Sequence, residues 1–178
     1  MQARRPFTLI ELLTVIAIIA ILVGLLLPAI GAAKQKAKIT QAKSQIKALQ
    51  IAIKQYESTY GSLPYAGTDD TEIGSTAYAT LIRTLSCQGT PTTDFNPRQI
   101  VFLEVQTASV YNDPWGNRFY VYIDTNYDGK IELAKSGILN SSNDIYASVA
   151  IYSWGPNLRD DHGQYLGTGV DDVTSWGN

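Results

Sequence analysis

The sequence predicts an α+β protein: a long N-terminal α-helix, transmembrane and then amphipathic, packed on a small antiparallel β-sheet head with a C-terminal loop region. Three observations predict it. Residues 7–33 are almost wholly apolar. Ala42, Ile46, Leu49, Ile53, Tyr56 and Tyr60 recur at alternating intervals of four and three, one stripe on an amphipathic helix. Beyond residue 112, short Tyr-rich runs alternate with Asn, Asp and Gly turns, the pattern of short antiparallel strands.

The elements follow in order. Residues 1–6 (MQARRP) form a short basic leader. At ~1.5 Å per residue, residues 7–33 span roughly 40 Å, enough to cross a ~30 Å bilayer core. That run is long for a cleaved secretory signal, so it reads as a retained anchor and assembly half of the helix. The positive-inside rule splits, with Arg4 and Arg5 on one side and Lys34, Lys36 and Lys38 on the other. The helix should continue to Gly61, with Pro64 just beyond, and the head begins at residue 34 with the amphipathic half. Gly24 and Pro28 mark a weak point where a kink or melted stretch is expected, because proline removes a backbone donor. A short helix follows over 76–87, with Ser75 as N-cap and Tyr78, Leu81, Ile82 and Leu85 inward. Residues 99–105 suit a short strand or a turn of helix. Strands are expected at Phe119–Ile123, Lys130–Leu133 and Asp144–Ser153, the last with Ile145, Ala147, Val149 and Ile151 on one face. Gly155–Asn178 reads as an irregular tail.

The chain has 178 residues and a net charge of −2, which suits one domain plus an anchor. That near-neutrality hides an asymmetry. Through Lys54 there are eight basic residues against one acid, Glu11, a net of +7; six basic residues against fifteen acids follow, a net of −9. A basic stem on an acidic head suggests electrostatic contact between copies. Nucleic acid is not the expected partner, because aromatics are not interleaved with the basic residues. The single cysteine, Cys87, excludes an intrachain disulfide, and the single histidine, His162, leaves little for an imidazole metal site. No G-x-S-x-G, Walker loop or H-E-x-x-H occurs, so nothing points to catalysis.

Glu11 carries the most information. A carboxylate inside an apolar span costs roughly 2.5–3.5 kcal/mol at the bilayer centre. If the chain is cut before Phe7, the new α-amine of a neighbouring copy can pair with it. Two unit charges at ~4 Å attract by about 4 kcal/mol at an effective dielectric near 20. Such pairing would favour leaving lipid for a bundle of stems. In the head, Asp124, Asn126 and Asp128 followed by Gly129 reproduce the opening of an EF-hand-like calcium loop. The closing position falls on Lys135, which cannot chelate, and the same residues also make a good hairpin turn.

FTLIELLTVIAIIAIL after a short basic leader resembles the class III signal of type IV pilins and type II secretion pseudopilins, with Phe7, Glu11 and Pro28 at the family's positions. DPWGNRFYVY (Asp113–Tyr122), YSWGPN (Tyr152–Asn157) and GTGVDDVTSW (Gly167–Trp176) resemble blocks of the major pseudopilin branch. The resemblance implies cleavage before Phe7 by a prepilin peptidase, methylation of its amine, and packing of the stem in a helical filament. It implies a head in the periplasm of a bacterial inner-membrane protein. Its partners would be further copies, minor pseudopilins, an inner-membrane assembly platform and membrane lipid. It also implies a structural calcium ion in the C-terminal loop, at positions matching Asn157, Asp171 and Asp172. One departure is Pro6, where the family carries Gly. A type IV pilin serving adhesion, motility or DNA uptake stays open beside the pseudopilin, as do a tethered ligand-binding domain and a tethered enzyme.

Overall fold

A computed structural model describes residues 8–65, 72–89, 95–132, 144–159 and 171–176. The chain divides into two compact units, residues 1–37 and 38–178, with the boundary inside the first helix.

Helix α1 runs Leu9–Tyr60. Its first half is apolar on every side and exposes that surface: Leu9, Ile10, Leu12, Leu13 and the large apolar side chains onward to Ile30 are all exposed. Only this helix, among the described residues, is long and apolar enough to cross a membrane. The helix continues through Gly24 and Pro28 without interruption. Of the two expected alternatives, a kink or a melted stretch, the helix shows no melting there, since one missing N–H is tolerated where long runs of good helix formers flank it.

From Lys38 the helix is amphipathic. Ala42, Ile46, Leu49, Ala52, Ile53 and Tyr56 are buried, which is the expected stripe with Ala52 added and Tyr60 only partly covered. They share one core with Tyr78, Leu81, Ile82 and Leu85 of the second helix and with Val121, Ile123, Val149 and Ile151 of the sheet. Helix α2 spans Ser75–Ser86. Its cap is Gly74 rather than Ser75, and no side chain caps it. Residues 99–105 form neither strand nor helix: the amides of Phe102 and Leu103 both donate to the carbonyl of Leu85, folding the segment over the end of α2. Asn96, fully buried, ties these parts together. Its amide group donates to the Thr84 and Ile100 carbonyls, and its oxygen accepts the Tyr60 hydroxyl at 2.6 Å.

The sheet has three antiparallel strands in the order β1 (Tyr120–Ile123), β2 (Val149–Ser153) and β3 (Val173–Thr174). Tyr120 pairs with Tyr152, and Tyr152 with Thr174. The outer edge of β1 is partly covered, because the Ile73 amide donates to Val121 and Glu72 bridges Tyr122. The alternation inferred across 144–153 breaks at Ala147–Ser148. Ile145 and Ala147 join a second cluster with Tyr122, Ala150 and Tyr152 on the far face, whereas Val149 and Ile151 enter the main core. The Ala147 amide turns back onto the Ile145 carbonyl, so the strand begins only at Val149. Of the return strand expected at Lys130–Leu133, the described residues show one bridge, Ile131 with Ile145, and Leu133 lies outside the described residues. In the described part of the tail, a 3-10 turn at Gly155–Asn157 precedes a short strand, β3, where an irregular segment was expected.

Candidate functional site

Three places carry the candidate residues. The first is the start of α1. Pro6 and Phe7 lie outside the described residues. Glu11 is not a bare acid. Its Oε2 accepts the backbone N–H of Thr8 at 2.8 Å and the Thr8 hydroxyl at 2.7 Å. The Thr8 hydroxyl accepts the Glu11 amide at 3.3 Å in return. This is a capping box, with both partners satisfying amides that the first helical turn leaves open. The T-x-x-E spacing was legible in the sequence. Pro28 lies inside the helix.

The second place is the junction of the Gly155–Asn157 turn with the segment entering β3. The Asn157 amide donates to Asp171 Oδ2 at 3.0 Å, and the Asn157 side-chain oxygen accepts the Arg159 amide at 2.7 Å. Gly155 has φ +67, and a Cβ there would stand 2.2 Å from the Asp171 carbonyl oxygen. The two backbones meet so closely that only glycine fits. The structure thus brings Asn157 and Asp171 together; Asp172 follows directly in the same segment, while residues 160–170 lie outside the description.

Among the described residues the donors there are all oxygen: carboxylates, a side-chain amide and backbone carbonyls. That suits calcium rather than zinc. Among the described residues no group of three His, Cys, Asp or Glu side chains could hold a metal ion, so an ion would need amide and carbonyl oxygens beside Asp171 and Asp172.

The turn is held from below by residues the sequence did not single out as functional. Ser153 donates its hydroxyl proton to Asp113 Oδ2 at 2.5 Å and accepts the Gly155 amide at 3.2 Å. Asp113 is buried, and its other oxygen accepts the Trp115 and Asn117 amides at 3.0 and 2.8 Å. Asp113 and Ser153 each stand in one of the motif blocks quoted above, but nothing in the sequence joins the two.

In the third place, the Asp124–Gly129 loop, the side chains turn inward. Asp124 accepts the amides of Asp128 and Gly129, Asn126 that of Asp128, and Asp128 that of Lys130. Lys130 bridges Glu132 at 2.6 Å and Asp144 at 3.1 Å. Those two hydrogen bonds, Glu132 first, hold its ammonium pKa above the usual lysine value. A cation is therefore already supplied by the chain beside this loop.

Residues 1–27 match the family described as the prokaryotic N-terminal methylation motif. The chain is also similar to the type II secretion system core protein G of Pseudomonas aeruginosa, 41% identical over 59 residues. That stretch is 32% of this chain and 42% of the relative, so the chain spans less than half the length of the curated relative it matches. No solved structure matches the chain. These partial likenesses make the chain similar to type IV pilin-like proteins that carry the N-terminal methylation motif, and the exposed apolar helix and small antiparallel sheet are consistent with that similarity.

Proposed function

We propose that this chain is a structural subunit of a helical, pilus-like filament, the major pseudopilin of a type II protein secretion system, and that it assembles through its N-terminal helix. The supporting observation is the exposed apolar surface from Leu9 to Ile30, opening on Glu11 within the methylation motif. The subunit waits in the bacterial inner membrane with its head in the periplasm. A prepilin peptidase cleaves between Pro6 and Phe7 and methylates the new amine. Glu11 then exchanges its local Thr8 donors for the Phe7 amine of a neighbouring copy as the stem leaves lipid. Minor pseudopilins and an inner-membrane platform complete the machine. A calcium ion at Asn157, Asp171 and Asp172 would lock the C-terminal loop, and a second at Asp124, Asn126 and Asp128 would have to draw those oxygens away from the loop amides they accept. The subunit performs no catalysis.

The test is complementation. In a secreting host lacking its own major pseudopilin, the wild-type chain should restore secretion and Glu11→Ala should abolish filaments. Mass spectrometry of the mature chain should find a methylated Phe7. Surface pili without restored secretion would instead support a type IV pilin.

A further inference from the structure

We propose that Asp113 is a positioning residue for the loop pair formed by Gly155–Asn157 and Asp171, acting through Ser153. The path is short and polar. Asp113 Oδ2 takes the Ser153 hydroxyl proton at 2.5 Å, which leaves the Ser153 oxygen lone pairs free to accept the Gly155 amide at 3.2 Å. Gly155 lies against the Asp171 backbone with no room for a side chain, and Asn157 donates to Asp171 at 3.0 Å. Ser153 is fully buried and Asp113 nearly so, so water does not compete for either bond. Buried polar groups that satisfy one another fix a unique geometry, and losing one partner strands the other.

The direction of the hydroxyl decides the outcome. A carboxylate only accepts, so Ser153 must donate to Asp113 and present its lone pairs to Gly155. An amide in place of the carboxylate can donate to the same serine oxygen and compete with the Gly155 N–H. Asp113 itself is anchored 40 residues earlier in the chain, by the Trp115 and Asn117 amides. The turn beginning at Asp113 thereby sets the shape of a loop far from it in sequence. Its effect on cation affinity rests on the calcium reading above; its effect on the loop does not.

The experiment is amide hydrogen exchange on the full chain in detergent micelles, with and without calcium, for wild type, Asp113→Asn and Ser153→Ala. Without calcium, both variants should lose about tenfold protection at Gly155 and Asn157, the size of one net hydrogen bond. Amides in α2 should stay as protected as in wild type. With calcium, the midpoint of cation-induced protection should move to about tenfold higher concentration in both variants. Unchanged exchange at Gly155 and Asn157 overturns the proposal. So does an equal rise across the whole head in both variants, which a merely structural role would give. A wild-type chain that does not respond to calcium removes the calcium reading alone, and the calcium-free comparison still decides the role of Asp113.

Discussion

Gly155 shows how a single position couples two segments. Its φ of +67 lies in the left-handed region, and the Asp171 carbonyl occupies the volume a methyl group would need. Gly155→Ala should therefore lower stability by more than about 1 kcal/mol, read as a fall in melting temperature of the full chain. A melt like wild type would mean that the two backbones do not meet. Glu11 is the second informative position. Its charge was legible as an anomaly in an apolar run, and the partner expected for it was another copy. The structure adds Thr8, one turn away, whose T-x-x-E spacing to Glu11 makes it a local partner as well. The bond from Ser153 to Asp113 had no signature in the sequence. It joins residues 40 apart, and only the fold brings them into reach.

At the scale of elements, α1 and α2 were legible because their apolar spacing repeats over several turns, and the burial of Leu49, Ile53, Leu81 and Leu85 follows it. The strands were less so. Ile145 and Ala147 continue the alternation of Val149 and Ile151 in sequence, but the reversal at Ala147 sends them to the opposite face. A two-residue strand such as β3 is too short for any period to declare itself. The contact of α1 and α2 with the rest of the head buries several tyrosines, and this has a pH consequence. Burial raises the phenol pKa of Tyr78, and the Tyr56 and Tyr111 values rise for the same first cause. Below about pH 10 both folded and unfolded phenols are protonated and stability is complete. Above it the unfolded chain ionises first, so stability is lost as pH climbs through the raised folded values. Lys130 acts in the same direction, since its folded ammonium also outlasts the unfolded one. The melting temperature should fall steeply above about pH 10. Tyr78→Phe should soften that fall while costing about 1 kcal/mol at neutral pH for the bond to the Tyr111 carbonyl. An alkaline profile identical to wild type would exclude Tyr78 as a contributor.

At the scale of the whole molecule, the head has no disulfide and a modest core, so bound ions or neighbouring copies are the available reinforcements. If calcium binds the folded loop and not the unfolded chain, a hundredfold excess over Kd adds about 2.7 kcal/mol. Chelation should then lower the melting temperature of the full chain, and Asp171→Ala should remove most of that response. A melt indifferent to chelator would discard the ion.

Among the described residues, the head's buried core begins at Ala42, and the large apolar side chains from Leu9 to Ile30 are exposed. The two stretches of one helix therefore answer to separate judges. Substitutions from Leu9 to Ile30 are tested by whatever surrounds that surface, and substitutions from Ala42 to Tyr56 by the fit of the head alone. A lineage could rework the apolar stretch without re-tuning the head's core, or diversify the head while leaving that stretch untouched.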